Sequence, residues 1–477
     1  MKTIKRIFKF ISITIALLIV FILVFFGVDS YQTSYLKKKN IENSVINSYL
    51  ILNTNVITMT KDTVQPNKMV YLENGKIKKI GDSLNIKNAT IIDAKGKYLT
   101  PGLIDMHVHV WDRYELGLYL SYGVTSIRNL WGRPMHLRIK KEINTNELIA
   151  PNFYTTSPKL TGPEFMGDDN INLTSTKEAK AKIISYKERG FDFIKTYYGI
   201  TEDIFGAVIE QSKESNIDII AHPTPKVPYK YHFNPQIKTI EHAEDIVQQP
   251  LNYKLDTFKL KEVIKNYTDS PNTKLSPTLI AYYNIYNMLT KEDILSSEKV
   301  KLINPLIKMV DSKAQFDRWS ATKKNDSTIV SIIKKQHEFH LRIIKELYDN
   351  GVDIVSSTDS GIGVTVPGYS LHQELALYKK AGLTNYQVLQ TATINASKVH
   401  KIMHNQGTIE IDKTANLLLL DKNPLEDLST LKKPNMVFIN GVKLERQTLD
   451  SFEQKSIDRG NLIVSGLRYL EYLLFER

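Results

Sequence analysis

The chain has 477 residues, 42% hydrophobic and 24% charged, with a formal net charge of +12. That is enough for a large core, as one barrel with an accessory domain or as two mid-sized domains. There is no cysteine, which excludes disulfides, thiolate metal sites and a cysteine nucleophile, so any metal must be held by His, Asp, Glu or a modified Lys. Half of the net charge falls in the first forty residues, where seven basic side chains face Asp29 alone. The rest is dilute, with no basic stripe interleaved with aromatics, and so argues against a nucleic-acid partner.

The basic start MKTIKRIFKF is followed by ISITIALLIVFILVFFGV, about eighteen residues without a charge. This is long enough to span a bilayer, and no small-x-small cleavage site follows, so residues 1–30 read as an uncleaved signal anchor. Four basic residues precede the span and three follow it. The N-terminal amine tips the balance toward N-inside, placing the bulk of the chain extracytoplasmically, in a periplasm or outside the cell. Residues 31–45, polar and rich in Lys and Asn, read as a tether.

From residue 46 the texture is strand and turn, with an Asn-Gly hairpin signal in LENGK. The same texture returns in QGTIEIDKTANLLLLDKNP and in MVFINGVKL. Residues 46–100 and 404–447 are therefore expected to build one small β-sandwich domain from both ends of the chain. Between them, residues 101–403 alternate apolar strands (GVTSIRNL, FDFIKTYY, IDIIAHP, IKTIEHA, TKLSPTLIA, VDIVSSTDSG) with helical stretches such as TKEAKAKIISYKERG, which ends in glycine. This pattern predicts an α/β fold, a (β/α)8 barrel of the TIM type. Residues 284–347 exceed what one crossover needs and read as a lid or wall. Residues 448–477 form a helical tail, with a stripe at Leu467, Leu470, Leu473 and Leu474 that suits docking on the barrel, a dimer contact or a membrane surface. Docking is the expected use, and a homo-oligomer stays open.

Catalytic groups of such barrels sit at the C-terminal ends of strands. His107 and His109 follow GLID and share one side of their strand; Lys195 ends FDFIK, His222 ends IDIIAH, His242 ends IKTIEH, and Asp359 ends VDIVSSTD. A barrel converges these six positions, and the set is a metal site of nitrogen and oxygen donors. Such donors suit Zn²⁺ without excluding Mn²⁺, Co²⁺ or Fe²⁺. Tyr197 should face the same cavity, and Arg128 could grip a substrate carboxylate. His372 opens a helix after the Asp359 loop, and His337 and His340 read as a helix face.

The series PGLIDMHVH, FIK, AH, EH, TDSG resembles the amidohydrolase superfamily, in its branch of imidazolonepropionase-like and prolidase-like (Xaa-Pro dipeptidase-type) enzymes. The likeness covers about residues 46–447; Asn416 departs from it, standing where such proteins usually carry Asp. The resemblance implies two divalent metal ions. His107, His109 and Asp359 would bind one, His222 and His242 the other, with Lys195 bridging them as a carbon dioxide-derived carbamate. It further implies hydrolysis of amide bonds in dipeptides or N-acyl amino acids by a metal-bridging hydroxide, with Asp359 moving the proton. Alternatives are cyclic amides, lactones or esters as substrates, or a barrel that binds without catalysis.

Overall fold

The computed structural model describes residues 2–40, 48–163 and 170–476. The apolar N-terminal run forms one helix, α1 (Lys2–Gln32), and its residues 3–32 are long and apolar enough to cross a membrane. The part of the expected tether at 41–45 lies outside the described residues. Its first part is not a free linker: Leu36 is fully buried, the Lys38 N–H donates to the Glu147 carbonyl, and the Ile149 N–H donates to the Leu36 carbonyl. The apolar Leu36 pulls this polar stretch onto the protein, because its burial outweighs the solubility of its lysines.

Five strands follow, β1 (Ser48–Val56), β2 (Gln65–Glu73), β3 (Lys76–Gly81), β4 (Thr90–Asp93) and β5 (Tyr98–Pro101). They share a sheet with β14 (Leu417–Leu420), β15 (Met436–Ile439) and β16 (Val442–Glu445) from the far end of the sequence, in the order β16-β15-β14-β5-β1-β2-β3, with β4 beside β1. The expected sandwich is thus one hydrogen-bonded sheet that curls. Tyr49 on β1 meets Phe438 on β15 with ring centroids 5.8 Å apart, although two strands separate them in the sheet. Both Asn-Gly turns form with positive φ at both residues, Asn74 and Gly75, Asn440 and Gly441, as a tight two-residue hairpin demands. The turns touch: a Cβ on Gly75 would stand 2.9 Å from the Asn440 carbonyl oxygen.

The middle of the chain forms the barrel strands β6 (Leu103–Val108), β7 (Val124–Asn129), β8 (Asn152–Thr161), β10 (Phe193–Thr196), β11 (Asp218–Ala221), β12 (Ile237–Glu241) and β13 (Lys274–Ser276), with the short β9 (Asn170–Asn172) beside β8. All seven run parallel. The run containing VDIVSSTDSG closes the ring through single bridges, Ile354 to Leu275 and Ser360 to Val108. Beyond the barrel, β14, β15 and β16 complete the terminal sheet.

Strand β8 has no counterpart among the apolar runs of the sequence, because its centre reads Thr155-Thr156-Ser157-Pro158-Lys159. Its hydroxyls are satisfied locally; Ser157 Oγ, for example, accepts the Lys195 backbone N–H. The helix Thr176–Arg189 starts at Ser175, whose side chain accepts from Glu178, and stops at Gly190 with φ of 94°, the left-handed stop that glycine supplies. The tail forms two helices, Arg446–Ile457 and Leu462–Glu476. It docks through Val464, Arg468 and Tyr472, all buried, while Leu470 and Leu474 of the expected stripe face outward.

Candidate metal centre and its cavity

The six strand-end residues converge at one end of the barrel, and all are buried. The Nε2 atoms of His107 and His109 both face Asp359 Oδ1, at 3.1 and 2.8 Å. The His107 ring lies 4.9 Å from that of His242, and His242 lies 4.7 Å from His222. His107, His242 and Asp359 form one group whose ligand atoms lie within 4.8 Å of one another; His222, His242 and Asp245 form a second. Asp245 had no signal in the sequence beyond its position three residues after His242.

The donor set fits divalent metal ions. Lys195 Nζ and His222 Nδ1 are buried with no hydrogen-bond partner among the described residues, a costly state for polar atoms unless a ligand engages them. Burial pushes the Lys195 ammonium down to about 8, so its neutral amine is accessible near physiological pH. Burial alone would raise the Asp359 carboxyl, but the neighbouring His107 and His109 outweigh it and hold it well below the usual carboxylate range.

Backbone strain marks the same place. His242, Thr278 and Asp359 have φ of 66°, 49° and 58°, where a residue with a Cβ costs about 1–3 kcal/mol and persists only if its surroundings enforce it. Here they do. His242 Nδ1 is 2.8 Å from Thr278 Oγ1, the Thr278 N–H donates to Ser357 Oγ, and the Asp359 N–H donates to the His107 carbonyl at 2.8 Å.

Beneath the centre lies a second layer that residue types at strand ends do not reveal. Glu241 Oε2 is 2.7 Å from His107 Nδ1 and accepts from Ser276 Oγ at 2.5 Å. Its Oε1 accepts from Arg128 Nη2 at 3.1 Å and from Thr239. Burial would raise this carboxyl, yet Arg128 and His107 hold it far below its ordinary value. Asp105 accepts from Thr358 Oγ1 at 2.7 Å, and burial pushes it up to about 7.

Arg128, expected to grip a substrate carboxylate, is already engaged within the protein. Its guanidinium is fully buried and committed to Glu241, to the Met106 carbonyl at 2.7 Å and to His400 at 3.0 Å. Strand alternation turned it into the barrel interior, and its partners lie far away in sequence. Tyr197 packs against His222 with ring centroids 4.4 Å apart, at the rim of the site. His372 lies elsewhere, its Nε2 on the Tyr122 carbonyl at 2.9 Å. His337 and His340 are a helix face, packed on Tyr283 and Tyr282.

A cavity of about 450 Å³ opens over His109, lined by Trp111, Trp131, Lys159, Leu306, Val310 and Tyr469, among others. The segment around 306–311 supplies one wall, in agreement with the lid or wall read from the sequence. Trp131 follows β7, where a strand-end search could have found it; Lys159 was hidden in the polar β8. Tyr469 comes from the C-terminal tail and had no signal at all.

The fold is a nearly closed parallel barrel with a buried cluster of histidines, a lysine and an aspartate at the strand ends, and known proteins share that barrel. A profile of the amidohydrolase family matches residues 306–444. The chain is 22% identical over 392 residues, 76% of its length and 85% of the relative's, to an imidazolonepropionase of Brevibacillus brevis (strain 47 / JCM 6285 / NBRC 100599). Among solved structures, a bottromycin amidohydrolase superposes with a TM-score of 0.71 at 20% identity, covering 92% of this chain and 97% of that one. A Xaa-Pro dipeptidase superposes with a TM-score of 0.65 at 18% identity, covering 83% and 100%. The family match and these relatives support the amidohydrolase superfamily. They likewise support a hydrolase of the amidohydrolase type.

Proposed function

We propose that this chain is a membrane-anchored, metal-dependent hydrolase of amide bonds in small substrates, dipeptides or N-acyl amino acids, with its catalytic barrel on the extracytoplasmic side. In this reading residues 1–30 are the anchor and 101–403 the catalytic barrel. Residues 46–100 with 404–447 form the accessory domain, and 448–477 the tail. The observation that carries it is a buried lysine, Lys195, with no hydrogen-bond partner among the described residues, set among four histidines and Asp359.

His107, His109 and Asp359 would hold one divalent ion and His222 and His242 the other, with Lys195 as a carbamate between them. Such ions polarise a carbonyl and lower the pKa of water toward ~7. The chain's own contributions follow from the geometry. Glu241 fixes the ring of His107 through Nδ1, leaving Nε2 for the centre, and such outer partners typically carry ~10–100-fold in metal affinity. Thr278 does the same for His242. Asp359, held ionised at neutral pH, takes the proton of the attacking water and returns it to the leaving amine nitrogen. The aromatic wall of Trp111 and Trp131 limits water around the substrate.

The test is elemental analysis of the purified full chain loaded with Zn²⁺ and bicarbonate. The expected result is about two ions per chain, fewer in Lys195→Ala, with turnover of dipeptides or N-acyl amino acids lost on chelation. About one ion in the unaltered chain overturns the bridging carbamate and favours cyclic amides; none overturns the metallohydrolase reading.

A further inference from the structure

The C-terminal helix Leu462–Glu476 buries charged side chains and leaves large apolar ones outside. Its buried side chains are Val464, Ser465, Arg468, Tyr472 and Glu476, so the inward face carries an arginine and a glutamate beside its apolar contacts. Arg468 pairs with Asp29 at 3.0 Å, Glu476 accepts from Arg189 at 2.8 Å, and Ser465 Oγ accepts from Asn304 at 2.9 Å. The outward face is apolar, with Ile463, Leu470, Leu474 and Phe475 exposed by 43%, 48%, 70% and 74%. Positions 463, 470 and 474 fall on one stripe of a helix. A helix on the surface of a water-soluble barrel arranges these faces the other way round, and a contiguous apolar face of this kind marks a contact with something apolar.

Its neighbour says what that is. Arg468 stands 5.3 Å over the ring of Phe26 and bonds Asp29, so this helix lies along the last turns of α1. Residues 11–28 of α1 carry no charge. The outward stripe therefore belongs to a helix packed directly against the end of the apolar span. The same helix also reaches the catalytic cavity: Tyr469 lines it, with its ring 6.4 Å from Trp111 and 6.1 Å from Trp131. Val310, which also lines the cavity, and its neighbour Met309 are exposed by 51% and 56%. Buried Asp112, three residues beyond His109, ties the tail to the site by accepting from Arg459 at 3.1 Å, Asn461 at 2.9 Å and Asn304 at 2.6 Å.

We infer that the outward face of the C-terminal helix rests among the acyl chains of the bilayer and brings the cavity mouth to the lipid surface, so that the substrates are amphiphilic amides, amino acids or small peptides acylated with a long apolar chain. This rests on the amide-hydrolase and membrane-anchor reading above. It adds a substrate class and a seat that α1 alone does not require.

The absence of cysteine allows a direct test on the full chain in phosphatidylcholine vesicles. Single-cysteine variants Leu470→Cys, Leu474→Cys and, on the terminal-sheet side, the exposed Ile411→Cys each carry one nitroxide. Collisions with oxygen should exceed those with a water-soluble nickel complex at 470 and 474, and the order should reverse at 411. Equal nickel access at all three positions overturns the seat. Spin–spin broadening at 474 with low oxygen contact assigns the stripe to a second copy and overturns it too.

The substrate class is read with N-acyl amino acids of increasing chain length. For the full chain, kcat/KM should rise by roughly threefold to fourfold per methylene until the cavity is filled. Leu470→Glu with Leu474→Glu should lose at least about tenfold on vesicle-borne long-chain substrate and keep turnover of the soluble acetyl compound. A flat dependence on chain length overturns the substrate class. Lipid contact at 470 and 474 without turnover of any acyl amide leaves the seat standing and removes the hydrolase reading beneath it.

Discussion

Two polar ensembles meet in the barrel at adjacent residues of one strand end. His242 belongs to the rim, where backbones are strained and Lys195 Nζ and His222 Nδ1 lack hydrogen-bond partners among the described residues. Glu241 belongs to the interior, where its carboxylate is engaged by His107, Arg128, Ser276 and Thr239 and is fully covered. The interior layer is arranged for rigidity and holds His107 in place. The rim keeps polar atoms uncommitted, which folding alone would disfavour. Buried polar residues are thus of two kinds in one protein, told apart by whether the protein itself completes their bonds.

That contrast can be broken at either end. Asp359→Asn is expected to lower kcat by ~10²–10⁴-fold while leaving the thermal midpoint within a few degrees, since Asn tolerates the left-handed backbone. A large fall in the midpoint would put Asp359 with the interior layer. Arg128→Met should do the reverse. It leaves the Glu241 charge buried and uncompensated, costing ~3–5 kcal/mol of stability, read as a lowered urea midpoint. An unchanged midpoint would show that the interior pair contributes nothing to folding.

The smallest effect sharpens the distinction through pH. Lys195 has its pKa depressed from 10.5 to about 8 on folding. Between those values the unfolded chain binds more protons than the folded one, so stability rises with pH across that window. Urea midpoints of the chelated full chain should therefore increase from about pH 8 toward 10.5, and Lys195→Met should flatten that increment. An identical slope in the two proteins would place the titration elsewhere.

Most of the barrel could be read from the sequence because its strands are apolar runs ending in chemically distinct residues, as in IDIIAH and IKTIEH. The strand β8 was hidden because its threonines and serine bond within the backbone rather than forming an apolar run. The rim histidines and Asp359 were legible from their places at strand ends. The engagement of Arg128 was not legible, because a strand-end position does not fix the side to which a long side chain turns, and the Glu241 it pairs with lies on β12. Tyr469 was illegible: which part of a distal helix touches a cavity depends on tertiary packing alone. The outward stripe of the same helix looked like a docking face, since periodicity reports that a helix has an apolar side and not what lies against it.

The shared sheet also sets a clock. Pro101 on β5 pairs with Leu417 on β14, so the sheet cannot be completed until the ribosome has made the intervening chain, about three hundred residues. At ~5–20 residues per second this takes roughly 15–60 s. Throughout that interval β5 presents a bare edge, the kind of surface to which other strands add. The expected anchor would be made first and hold that edge near the membrane while the barrel is still emerging. A protein built in this way depends on whatever shields nascent β-edges, and slowing translation within the barrel would lower its yield without touching any residue of the site.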